Sequence, residues 1–79
     1  MNSIRVLGTE WCGDCTRAKA FFAEHHIAYD WVDVDEDQDA LAECVELNGG
    51  KRVVPTIIFE DGGILVEPSN QQLAQKLGL

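Results

Sequence analysis

The sequence predicts an α/β fold, a four-stranded mixed sheet flanked by helices in the order β-α-β-α-β-β-α. Three observations predict it. Short apolar, β-branched runs alternate with stretches of helical periodicity. Turn signals separate each from the next. The 79 residues contain no repeat, linker or low-complexity tract, so every element is assigned to one domain spanning residues 1–79.

Residues 3–8 read as the first strand, with Gly8 and Thr9 beginning the loop that follows. Residues 13–25 read as a helix, because Cys15, Ala18, Phe21 and Phe22 share one face at 100° per residue, while Arg17 and Glu24 lie away from it. Residues 27–34 read as a second strand, and the intervening helix makes it parallel to the first. Asp37 is placed to cap a second helix that ends near Asn48-Gly49-Gly50. On that helix Ala40, Leu41, Cys44, Val45 and Leu47 form the apolar arc. The run from Val53 to Phe59 is interrupted by Pro55, which cannot sit in a paired central strand, so the third strand begins at Thr56. Asp61-Gly62-Gly63 turns into Ile64-Leu65-Val66 as a hairpin. Pro68-Ser69 opens the last helix; Ser69 and Gln72 have capping-box spacing, and Leu73 and Leu77 supply its buried contacts.

Charge and composition exclude several classes. The net charge of −8 argues against nucleic acid and against anionic membrane surfaces. Asp30, Asp33, Asp35, Glu36, Asp37 and Asp39 concentrate the acidity; the run reads as a solvated face, with a docking surface for a basic partner as the alternative. No apolar run approaches the ~20 residues that span a bilayer. The first residues show no signal-peptide core, and three cysteines do not make a secreted disulfide framework, so a cytoplasmic monomer is expected.

The chemistry centres on Trp11-Cys12-Gly13-Asp14-Cys15, between the first strand and the first helix. Unpaired N–H groups and the positive end of the helix dipole meet there, and they stabilise a thiolate, the nucleophile of disulfide exchange. Cys12 sits where its side chain can remain exposed, while Cys15 points toward packed neighbours. Cys-x-x-Cys also serves metal sites, but zinc normally needs four ligands, and only Cys44, His25 and His26 remain. The histidines lie along the helix, ~15–20 Å from Cys12 at 1.5 Å per residue, and Cys44 falls on a buried arc. No metal is therefore assigned. Trp11 and Gly13 are poor choices for a plain packed position, which counts against a pair of inert core cysteines. His25 and His26 read as cations near a helix C-terminus. Trp31 and Tyr29 read as sheet-face packing.

These residues, with Val54-Pro55-Thr56 and the chain length, resemble the thioredoxin superfamily and, within it, the glutaredoxins. The stretch from Asn48 to Thr56, the hairpin and Pro68-Ser69 look most like the mycoredoxins, with ribonucleotide-reductase-linked redoxins as close neighbours. The resemblance implies a thioredoxin fold and a thiol–disulfide oxidoreductase without a bound cofactor. Cys12 would attack a substrate disulfide and Cys15 would resolve the adduct. Pro55 would be the cis proline facing the cysteines, with Val54 offering its backbone to an extended thiol peptide. From the residues alone, Pro55 reads equally as a loop proline before a strand. Disulfide-containing proteins are the implied partners, with a low-molecular-weight thiol, glutathione or mycothiol, as co-substrate. Two alternatives stand beside this: an electron donor recharged by a flavin-dependent thioredoxin-type reductase, and an iron–sulfur carrier or zinc-binding module.

The sequence departs from the glutaredoxin pattern in ways that bear on the site. Thr9 stands where many glutaredoxins carry lysine. Glu67-Pro68-Ser69-Asn70 replaces the residues that take the γ-glutamyl end of glutathione, leaving Ser69 and Asn70 as candidate contacts there. Lys51 and Arg52, beside Pro55, could meet a substrate carboxylate or be solvated loop charges. Asp14, with Glu10, brings negative charge near Cys12, which Arg17 opposes; the balance predicts a more reducing couple than that of typical glutaredoxins.

Overall fold

The computed structural model describes residues 4–79, which form β1 (Arg5–Gly8), α1 (Gly13–Glu24), β2 (Asp30–Asp33), α2 (Gln38–Leu47), β3 (Thr56–Ile58), β4 (Ile64–Val66) and α3 (Asn70–Leu77). The strand expected from residue 3 begins at Arg5; residue 3 itself lies outside the described residues. The sheet order is β2-β1-β3-β4. β1 pairs in parallel with β2 (Val6 opposite Trp31) and antiparallel with β3 (Leu7 opposite Thr56). β3 pairs antiparallel with β4, Ile57 opposite Leu65. β1 and β2 therefore end at the edge of the sheet where β3 begins. The β1–α1 loop, the β2–α2 turn and the chain before β3 gather at that edge.

The period of two along β1 sorts the core into two layers. Ile4 and Val6 pack with Ala18, Phe21, Phe22, Ile57, Phe59 and Leu73 on the face covered by α1 and α3. Leu7 packs with Val34, Ala40 and Cys44 under α2 on the other. Arg5 reaches from β1 to α2 and donates twice to Glu43, at 2.9 and 2.7 Å. That pairing holds the Glu43 carboxyl below its ordinary range, chiefly through the hydrogen bonds from the guanidinium.

Local chemistry sets the element ends. The Asp37 side chain accepts the Ala40 N–H at 3.0 Å and starts α2. Ser69 and Gln72 make a reciprocal capping box at α3, and Gly78, at φ 74°, ends that helix in the left-handed region.

Three expectations are corrected. β2 is shorter than residues 27–34, because the Ile27 N–H is spent on the Phe22 carbonyl (2.9 Å) that closes α1, and pairing with β1 starts only at Asp30. β3 stops at Ile58, since Phe59 turns its N–H to Gly63 in the hairpin. Leu47 falls on the apolar arc by angle, yet at the last residue of α2 it is 40% exposed.

Candidate active site

Cys12 is the N-cap of α1, and this position defines its chemistry. Its backbone is extended (φ −88°, ψ 118°), and its sulfur accepts the Cys15 N–H at 3.2 Å, one of the donors that a helix start leaves unpaired. An N–H aimed at sulfur stabilises negative charge on it. The Cys12 carbonyl accepts the Thr16 N–H at 3.1 Å, so the residue is anchored while its side chain stays partly exposed. Across the site its thiol points to the Val54 carbonyl, 3.8 Å away. The Val54–Pro55 peptide is cis, and Pro55 is buried beneath the loop.

Cys15 lies one turn on and faces inward, with no exposed surface. Its thiol is pushed up to about 12, first by burial and next by its hydrogen bond to Cys12. The negative charge of Cys12 adds to this, while the Thr9 backbone and the Lys19 ammonium pull the other way. Gly8 makes room for this sulfur. A Cβ at position 8 would stand 2.6 Å from the Cys15 sulfur and 2.7 Å from the Trp31 ring. Thr9 is also buried, 1% exposed, and its hydroxyl has no hydrogen-bond partner among the described residues.

The charged groups around the cysteines are paired. Arg17 donates to Asp14 (3.2 Å) and to Asn70 (3.1 Å), tying the first turn of α1 to the start of α3. Arg52 donates to Asp35 at 2.7 Å. The Trp11 indole N–H donates to the other Asp35 oxygen at 2.9 Å, and the Arg52 guanidinium lies 5.4 Å from the Trp11 ring centre. Lys19 lies 4.0 Å from Glu10 and 3.9 Å above the Trp31 ring, whose N–H donates to Glu10 at 3.1 Å. Trp11 itself is 66% exposed beside Cys12.

Of the residues singled out in the sequence, Trp11, Cys12, Gly13, Asp14, Cys15, Arg17, Arg52, Val54 and Pro55 line or border this edge, and Asn70 joins it through Arg17. Ser69 is spent on the cap of α3, and among the described residues no hydrogen bond joins it to the cysteine loop. Lys51 is exposed and makes no ion pair among the described residues. Two groups escaped sequence reasoning. Asp35 sat inside an acidic run read as solvated, although it follows a parallel strand at its carboxyl end, where α/β sheets place their sites. The second is a buried polar knot under the Val54 loop. The Thr56 hydroxyl donates to the Val53 carbonyl (2.7 Å) and accepts from the Asn48 amide (3.0 Å), and the Cys44 thiol donates to the same carbonyl (3.2 Å). Among the described residues, no group of three or more His, Cys, Asp or Glu side chains is placed to hold a metal ion.

The glutaredoxin family profile matches residues 4–64. A Mycobacterium tuberculosis protein assigned to the glutaredoxins is 39% identical over 75 residues, covering 95% of this chain and 89% of that protein. Mycoredoxin 1 of Corynebacterium glutamicum is 30% identical over 78 residues, 98% of this chain and 95% of its own length. Among solved structures, a mutant of a thioredoxin-like protein superposes with a TM-score of 0.82 at 24% identity, covering 99% of this chain and 97% of that one.

Proposed function

The chain belongs to the glutaredoxin family, and from that premise we propose that it is a thiol–disulfide oxidoreductase that reduces protein disulfides and mixed disulfides. One observation carries the reading: a partly exposed sulfur at a helix N-cap, facing the Val54 carbonyl, with a buried second thiol one turn away.

In this scheme the Cys12 thiolate attacks one sulfur of a substrate R–S–S–R′. A Cys12–S–S–R bond forms, and R′S⁻ leaves and takes a proton. Cys15 then gives up its proton and attacks the Cys12 sulfur, releasing RS⁻. The dithiol is oxidised by two electrons to the Cys12–Cys15 disulfide, and the substrate disulfide is reduced to two thiols. The Cys12 charge disappears when the adduct forms, which removes two of the influences that keep Cys15 protonated. Resolution is thereby timed to follow attack. Val54 and Pro55 support the reading by presenting backbone to an extended thiol peptide beside the sulfur.

A low-molecular-weight thiol, glutathione or mycothiol, is the proposed source of electrons for a cytoplasmic monomer. Recharging by a flavin-dependent thioredoxin-type reductase is the second reading, favoured by the 29% identity over 58 residues to a glutaredoxin-like protein, NrdH, of Lactococcus lactis. A reduction assay with each thiol, and with such a reductase and NADPH, separates the two. Turnover with a thiol is the expected result. Turnover with the reductase alone selects the second reading, and none with any source overturns both. Cys12→Ser should abolish every activity. Cys15→Ser should abolish protein-disulfide reduction and spare that of small mixed disulfides; loss of neither removes Cys15 from the scheme.

A further inference from the structure

The cations that border the cysteines are committed to internal acceptors: Arg17 to Asp14 and Asn70, Lys19 to Glu10, and Arg52 to Asp35. One Asp35 carboxylate oxygen takes Arg52 (2.7 Å) and the other takes the Trp11 indole N–H (2.9 Å), much as Glu10 is shared between Lys19 and the Trp31 indole N–H. Asp35 arrives from the β2–α2 turn, where its own N–H is held by the Asp33 side chain at 2.9 Å. Arg52 comes from the chain leading into β3 and Trp11 from the β1–α1 loop, so one carboxylate joins three segments at the edge of the sheet. The product is a broad indole face, 66% exposed, on the residue before Cys12, with its neighbouring guanidinium already neutralised.

We propose that Asp35 is a specificity-determining residue, whose hold on Arg52 and Trp11 makes the rim beside Cys12 select disulfides that carry no carboxylate near the sulfur. The inference rests on the oxidoreductase reading above. A carboxylate brought to this rim meets the Asp35 charge and finds Arg52 engaged, whereas an uncharged group lies on the Trp11 face without losing a hydrogen bond. Lys51, the exposed residue before Arg52, makes no ion pair among the described residues.

The test compares 3,3′-dithiodipropionic acid with its diamide, two disulfides of equal shape that differ in charge. Second-order rate constants for oxidation of the reduced protein are measured for each by rapid mixing. Wild type should favour the diamide. Asp35→Asn should raise the acid-to-amide ratio about fivefold, the scale of one exposed ion pair, and adding Arg52→Gln should cancel that gain. Asp39→Asn makes the same change of net charge on the exposed face of α2 and should leave the ratio near the wild-type value. An unchanged ratio in Asp35→Asn overturns the proposal. So does an equal rise in Asp39→Asn, which would assign the effect to net charge. A wild-type protein that reacts with neither disulfide would instead overturn the oxidoreductase reading itself.

Discussion

Two cysteines three residues apart are given opposite duties by where one helix begins. Cys12 caps the helix and meets solvent; Cys15, inside its first turn, is fully buried against the space that Gly8 leaves open. Burial, with the charge on its neighbour, holds Cys15 as a thiol far above neutral pH, at about 12. Below that value each unit of pH raises its thiolate fraction about tenfold, so the resolving step should accelerate with pH. The check is to trap a mixed disulfide on Cys12 and follow release of the leaving thiol between about pH 6 and 9. The expected profile rises log-linearly and flattens at a lower pH than the free dithiol would, because the adduct has lost the Cys12 charge. A flat profile would mean that some step other than Cys15 ionisation controls release.

Among the elements, the segment before β3 depends most on side chains for its position. It has no ladder until Thr56, yet it carries Arg52, Val54 and Pro55. The Thr56, Asn48 and Cys44 knot ties it to α2, and Cys44 is a buried member of that knot with no exposed surface. Thr56→Val keeps the shape and removes the hydroxyl. The Asn48 amide then keeps its bond to the Cys44 carbonyl (2.8 Å), and the Val53 carbonyl keeps the Cys44 thiol. Stability should fall by about 1–2 kcal/mol in urea unfolding. On the proposed role of the Val54 backbone in holding an extended peptide, reduction of a peptide disulfide should fall more than reduction of a small one. Equal losses on both substrates would show that the knot serves stability alone.

At the scale of the molecule, fourteen acidic residues against six basic ones leave a negative field after the local pairs are formed. That field reaches about one Debye length, roughly 10 Å at 0.1 M salt. It steers substrates by sign before they touch the rim. Raising salt from about 0.02 to 0.5 M should therefore slow reaction with cystamine, a dication, by several-fold and speed reaction with a dicarboxylate disulfide. Stopped-flow rates across the salt series test this. Curves that do not diverge with substrate charge would confine electrostatics to the rim. The long-range term is set by net charge and the short-range preference by Asp35, so salt weakens the first far more than the second.

The sequence by itself determined the order of the elements, the mixed sheet flanked by helices, the placing of the candidate site after β1 and the family, because these follow from local periodicity, turn chemistry and the Trp11–Cys15 motif. Two strands were shortened where a backbone N–H had a competing use, at Ile27 before β2 and at Phe59 after β3. Tertiary structure alone decided which charges remain free. Arg52 and Asp35 are 17 residues apart, Cys12 and Val54 42, and Arg17 and Asn70 53. No spacing rule joins such pairs; they meet because the sheet brings the ends of β1, β2 and β4 and the start of β3 to a single edge, where each cation finds whichever acceptor the fold delivers.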